Sequence, residues 1–295
     1  MSLFITENDV GASHTVVIEE RIQQMDKCQD QTYSGEGTDI KSGKPFKYAM
    51  VTDGHGGDAC IDVLRGIPKS EMATILGQED PVKVLAEYIH SKIHNVHRSG
   101  ATMCLAKIFD DHIDCINFGD SQVAVFKDGA LVHLSKEHNW ENTEERTRLL
   151  AMNNGITFKG STGIKVISPS KMIGAYCEYA VWPDGQQLAC TQALGNQMKT
   201  GYAPDCVSIP IEPGSTYKVL IGSDGFWDMI IKEDSEDILR LSLMNADDAL
   251  AFVKGRWLQE WTVSTFDEPD KEQKMNYKSP QCDDISLVMV YIRPV

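Results

Sequence analysis

The sequence is short of positive charge: 28 Lys and Arg stand against 43 Asp and Glu, for a formal net charge of −15 and a pI near 4.9. That balance argues against nucleic acid and anionic membrane surfaces as partners. Long apolar runs are missing too. No stretch approaches 18 apolar residues, and Met1 to Val10 has neither a basic start nor an apolar segment, so neither a membrane span nor a signal peptide is expected. The eight cysteines (Cys28, Cys60, Cys104, Cys115, Cys177, Cys190, Cys206 and Cys282) include no C-x-x-C pair and no zinc-type grouping, which leaves most of them as reduced core residues. Repeats, coiled-coil heptads and low-complexity tracts are also absent. The expectation is a soluble, intracellular monomer, cytoplasmic or nuclear.

What the chain does have is aspartate in a set pattern. Three short motifs carry it: Thr52-Asp53-Gly54-His55-Gly56-Gly57, Gly222-Ser223-Asp224-Gly225-Phe226-Trp227-Asp228, and Cys282-Asp283-Asp284-Ile285-Ser286. Each abuts an apolar run of strand character, Tyr48–Val51, Tyr217–Ile221 and Ile285–Tyr291. Carboxylates collected at strand ends suit a hard divalent cation, and glycine beside aspartate lets a backbone carbonyl approach the same ion. An isolated Asp-Gly pair would read as a turn. Oxygen donors without a Cys/His cluster favour Mg²⁺ or Mn²⁺ over zinc. If Asp53, Asp224 and Asp283 share one site, the chain cannot be divided between them, so residues 1–295 are expected to form one domain.

Local signals place further elements. His14 to Glu20 and Phe46 to Val51 read as strands, and Asp58 to Arg65 as a helix. Asp80 caps a helix with Pro81 in its first turn and an apolar stripe of Val82, Leu85, Ile89, Ile93 and Val96. Hairpins are expected at Ala101–Phe109/His112–Phe118 and Val123–Phe126/Ala130–Leu134. Glu141 to Met152 reads as a helix ended by Asn153-Asn154-Gly155. The stretch 156–187, rich in Gly, Ser and Pro and without a sustained period, reads as a long excursion. A last helix runs from Asp247 or Asp248 through Trp257 and Trp261, and Thr265 to Gln281 reads as loop. Antiparallel hairpins with helices in pairs point to an α+β fold with helices on sheet faces.

These strings resemble the metal-dependent serine/threonine protein phosphatases of type 2C, which share the Asp-Gly-His-Gly-Gly, Gly-Asp-Ser (here Gly119-Asp120-Ser121), Ser-Asp-Gly-x-Trp-Asp and late Asp-x-Ile-Ser signatures in this order. The resemblance implies a four-layer α-β-β-α sandwich of two central antiparallel sheets flanked by helices, with a flap at about 156–187. It also implies hydrolysis of phosphoserine and phosphothreonine in proteins by a water activated between two Mg²⁺ or Mn²⁺ ions. Asp53 and the Gly54 carbonyl, with Asp224 and Asp283, would be the metal ligands. Asp120 and Asp228 would hold a third ion, His55 would be the general acid, and Asp30 would order metal-bound water. Phosphoproteins are the expected partners.

The chain departs from that pattern at several positions. The phosphate-binding arginine falls on Met25, leaving Arg21 and Lys27 as candidate phosphate contacts, and Gln29 replaces an acid. Gln122 and Gln192 stand where arginines are usual, and Asn196 where an aspartate is usual. Each Arg-to-Gln change removes a charge and a bidentate fork. The alternative reading is a weak or inactive relative that serves as a binding or regulatory module.

Overall fold

The computed structural model describes residues 14–96, 98–152, 155–233, 235–264 and 271–295. Two sheets face each other at its centre. The first runs in the order His14–Gln23, Ile285–Pro294, Tyr217–Gly222, Gln122–Lys127, Ala130–Leu134, and the second in the order Asp205–Pro210, His112–Phe118, Gly100–Ile108, Pro45–His55, Asp30–Thr38. Neighbours within both are antiparallel.

The central strands are apolar on both faces, and their parity divides the core into layers. Ala49 and Val51 join Val123, Val125, Val288 and Val290 between the sheets. Phe46, Tyr48 and Met50 point the other way, onto the helices Ala59–Gly66, Lys69–Leu76 and Pro81–Ile93. Across the molecule, Phe126, Leu287 and Met289 meet Phe226, Trp227 and the helix Ala246–Leu258. The result is the expected α-β-β-α sandwich. Among the described residues no helix is long and apolar enough to cross a membrane.

The Asp80 carboxylate accepts a 3.0 Å hydrogen bond from the backbone N–H of Lys83, one of the donors that a helix start leaves unmatched. Asp80→Ala should therefore lower stability by about 1 kcal/mol, read as a shift in urea midpoint with no change in slope.

Several expectations need correction. Residues 156–187 are not an irregular excursion: Thr157–Ser168 and Lys171–Val181 form a long hairpin within a third sheet, where the second strand also pairs with Gln187–Leu188 and, in parallel, with Glu260–Ser264. Eleven of the twelve residues of Thr157–Ser168 are exposed or half-buried, so no apolar alternation marked the strand. Two of its lysines are tied to acids outside the hairpin, Lys165 to Glu233 at 3.3 Å and Lys171 to Glu272 at 2.5 Å. The last helix ends at Leu258, and Trp261 lies on the next strand with its indole N–H on the Arg256 carbonyl. Within the supposed loop, Glu272–Asn276 is a strand paired to Glu260–Ser264. Asn153 and Asn154 lie outside the described residues.

Candidate active site

The motif residues come together because strands from both sheets end at the same edge of the sandwich. Asp53 shares strand parity with Ala49 and Val51, so it continues the inward face, and its register neighbours are Asp30 on one side and Thr102 on the other. Gly54 turns toward the helices, where a Cβ would lie 2.4 Å from Ile61 Cγ1 and 3.0 Å from Gln29 Cβ. Only glycine lets that backbone sit so close. In the first sheet Gly222 pairs with Leu287, and beyond them Ser223 and Ser286 interlock, Ser223 N–H to the Ser286 carbonyl at 3.1 Å and Ser286 N–H to Ser223 Oγ at 3.2 Å. This clasp sets Asp224, first residue of the helix Asp224–Trp227, beside Asp283. Asp120 follows Gly119, whose φ of 131° and closeness to Thr102 again require glycine.

A cavity of about 430 Å³ lies at this edge, lined among others by Lys27, Asp53, His55, Arg98, Asp120 and Asp224, with Tyr179 and Gln186–Cys190 on the hairpin side. Its electrostatics are unfavourable without a cation. Burial, then the charges of Asp224 and Asp30, push Asp53 well above the usual carboxylate range. Asp120 is raised by burial, Asp224 and Glu137. Asp30 is pushed up to about 8, first by burial and then by Asp224, against the opposing hydroxyls of Ser223 and Ser286. Its Oδ2 is buried without a hydrogen-bond partner. Asp283 is raised by burial and Asp224, with Lys27 opposing. Asp228 follows the short helix as its exposed C-cap.

Among the described residues no three of these donors close on one point as a ready-made cage. Like charges with no cation between them gain nothing by converging. The donor set nevertheless fits hard divalent ions: it is all oxygen, with Asp53, Asp120 and Asp283 raised by burial and by neighbouring carboxylates, an orphaned carboxylate oxygen on Asp30 and a glycine carbonyl at close quarters. Asp53, the Gly54 carbonyl, Asp224 and Asp283 are the groups that could hold such ions.

His55 is half-buried, and burial lowers its pKa despite its bond to Asn196. Its Nε2 lies 2.8 Å from Asn196 Oδ1, while Asn196 Nδ2 donates to the Arg98 carbonyl at 2.9 Å. Asn196 therefore presents its oxygen to the ring, and Nε2 carries the proton.

The two phosphate candidates separate. The Arg21 guanidinium forks onto Asp247 at 2.5 and 2.8 Å, on an exposed helix start, and does not line the cavity. Lys27 does line it, with its ammonium 2.8 Å from both oxygens of Asp283. Burial lowers its pKa, but Asp283, Asp224 and Asp53 outweigh that and hold it above the usual lysine value.

Met25 packs against the core beside the first sheet, so Met25→Arg would press a charge onto apolar side chains instead of reaching phosphate. Gln122 and Gln192 are buried structural residues: Gln122 donates to the Ser135 carbonyl at 2.5 Å, and Gln192 brackets Ala203 with bonds of 2.7 and 3.2 Å. Neither lines the cavity, so the charges lost there are not lost from it.

The sequence named Asp284 and Gln29 without their contacts and gave no sign of Arg98. Asp284, buried, accepts the backbone N–H groups of Met25 and Gln29 and so pins the segment that carries Lys27 to the late motif. Gln29 in turn donates to Asp58 at 2.8 Å. Arg98 enters the cavity from the loop before Gly100, with no motif to flag it.

Comparison with known proteins agrees with the geometry. The family model described as Protein phosphatase 2C matches residues 19–260. "Probable protein phosphatase 2C 52" of Oryza sativa subsp. japonica is 24% identical over 219 residues, covering 69% of this chain and 40% of the relative. "Protein phosphatase 2C 56" of Arabidopsis thaliana is 23% identical over 270 residues, covering 83% and 58%. The chain thus spans about half the length of these curated relatives. Among solved structures, a serine-threonine phosphatase 2C from Toxoplasma gondii superposes with a TM-score of 0.58 at 13% identity, over 97% of this chain and 96% of that one. The catalytic domain of the serine threonine protein phosphatase PstP, solved in complex with 2 manganese ions, gives 0.50 at 14% identity over 94% and 98%. With the motif aspartates gathered at one edge of this sandwich and the family model spanning most of its length, the chain belongs to the protein phosphatase 2C family.

Proposed function

We propose that the chain hydrolyses phosphoserine and phosphothreonine in proteins with the help of two Mg²⁺ or Mn²⁺ ions. The observation that carries this reading is the meeting of Asp53, Asp120, Asp224 and His55 at one cavity whose carboxylates lack sufficient positive charge. Asp53, the Gly54 carbonyl, Asp224 and Asp283 would hold the two ions, and Asp120 and Asp228 a third. Bound there, divalent ions supply Lewis-acid polarisation of the phosphoryl group and a water nucleophile at neutral pH.

The chain's own residues do the rest. Asp30, on the strand beside Asp53, accepts a hydrogen bond from that water through its unpartnered Oδ2 and so fixes its direction. His55, steadied by Asn196, gives a proton to the departing serine or threonine oxygen. The proton given is that of Nδ1 on the imidazolium, since Nε2–H stays on Asn196 Oδ1, and burial favours the neutral ring that the transfer leaves.

The direct test is phosphate release from a phosphothreonine peptide with Mn²⁺, without it, and with EDTA. Turnover confined to the metal-loaded protein supports the reading. A folded, metal-loaded sample with no turnover favours the binding-module alternative, to which Met25 and Gln29 lend weight. His55→Gln should bind Mn²⁺ as the native protein does yet slow phosphopeptide hydrolysis about 100-fold more than that of p-nitrophenyl phosphate, whose leaving group needs little protonation. Equal slowing of both substrates would remove His55 from the acid role.

A further inference from the structure

We propose that Arg98 is the side chain that grips the phosphoryl group, taking over the work of the arginine displaced at Met25. The inference rests on the phosphatase reading and adds to it the residue that recognises the anion.

Two cationic side chains line the cavity, and they differ in what already occupies them. The Lys27 ammonium lies on both oxygens of Asp283. Arg98 is exposed, and among the described residues no carboxylate, carbonyl or ring engages its guanidinium. Its backbone, by contrast, is firmly held. The Arg98 carbonyl accepts from Asn196 Nδ2 at 2.9 Å, and Asn196 Oδ1 holds His55 at 2.8 Å. On the next residue, Ser99 Oγ donates to the Gly57 carbonyl at 2.7 Å and accepts from the Cys60 N–H at 2.8 Å. Gly56 sits so close that a Cβ there would lie 2.0 Å from the Arg98 carbonyl.

A fixed root with a free head is what an anion clamp needs. The root is tied through Asn196 to His55, on the wall of the same cavity, and the head loses little on turning to a phosphate because it breaks no existing bond. The other charged groups of that wall, Asp53, Asp120 and Asp224, repel a phosphate monoester until cations cover them. A planar guanidinium can present two parallel N–H donors to two phosphate oxygens, which a lysine ammonium cannot match in geometry. Such a clamp also accounts for the loss of charge at Met25: with a cation supplied from the loop before Gly100, position 25 is released to pack against the core.

The test uses the full chain loaded with Mn²⁺ and inorganic phosphate as the probe. Calorimetry should show phosphate affinity falling about tenfold or more in Arg98→Ala, partly restored in Arg98→Lys, with Mn²⁺ affinity unchanged in both. KM for a phosphothreonine peptide should rise by a similar factor while kcat moves little. Arg98 is exposed, so neither change endangers the fold, and matching circular dichroism would verify this. Phosphate affinity within twofold of native in Arg98→Ala overturns the proposal, as does a native protein that takes up no phosphate at all. Loss confined to Lys27→Ala would assign the contact to Lys27 and overturn it equally. If phosphate binding depends on Arg98 but no peptide is turned over, the clamp stands and the phosphatase reading falls.

Discussion

Asp53→Ala is expected to lower metal-dependent turnover by about three orders of magnitude or more and to abolish tight Mn²⁺ uptake, measured by phosphate release and calorimetry. The carboxylate lies between Asp30 and Thr102 in register and is raised by burial and then by Asp224 and Asp30, so it is the proposed ligand that most needs a cation beside it. The sign of the effect on stability is informative. Removing one of several mutually repelling buried carboxylates should raise the melting temperature of the metal-free protein, and the further rise that Mn²⁺ gives the native chain should vanish. A variant that still binds Mn²⁺ with native affinity, or that melts lower without metal, would refute the shared-site assignment.

Asp237→Ala should be the most damaging single change away from the cavity, costing roughly 3–5 kcal/mol in urea unfolding. The Arg256 guanidinium lies against both Asp237 oxygens at 2.5 and 2.7 Å, with side-chain exposures of 5% and 3%, so truncation strands a buried cation. Arg256 also donates to the Met229 carbonyl at 2.6 Å, and Asp237 accepts the Ile231 N–H at 2.9 Å. The pair therefore braces the turn that follows Asp224–Trp227. An Asp237→Leu/Arg256→Met double variant should recover most of the loss, because the pair's cost when broken is desolvation of the survivor. A single variant that unfolds within 1 kcal/mol of native, on the order of one surface contact, would show that Arg256 finds water instead.

Much of this candidate site was legible in the sequence because its proposed ligands sit in short strings bound to strand ends, where local geometry and chemistry coincide. Asp53, Asp224 and Asp283 each adjoin an apolar strand whose period is easy to read. Asp30 was harder: Asp30–Thr38 is polar and glycine-rich, and it is a strand only because Pro45–His55 offers it a partner. The third sheet was hidden for the same reason, since Thr157–Ser168 buries too little to alternate. Trp257 and Trp261 look like one helical face at i, i+4, yet the chain turns between them and both are buried from different elements. Arg98 left no trace, because nothing local distinguishes a free arginine in a loop from a solvated one. His90, His94 and His97 share an apparent helical face, but the helix ends at Ile93 with His94 as its C-cap, and His97 lies outside the described residues.

The pairing of His14–Gln23 with Ile285–Pro294, from His14 opposite Pro294 to Gln23 opposite Ile285, also governs how such a chain can be made. Contacts this remote in sequence form slowly and late, whereas the hairpins and helices of the second sheet need only local chain. During synthesis the half that bears Asp53 emerges well before Ile285–Pro294, an interior strand of the first sheet. A nascent chain halted short of Asp283 has neither that carboxylate nor Asp284 to pin the Lys27 segment, and it leaves the edges of His14–Gln23 and Tyr217–Gly222 open to other chains. Products truncated there are thus expected to aggregate without ever binding metal, so that Mn²⁺ uptake becomes an assay for chains translated through Ile285–Pro294.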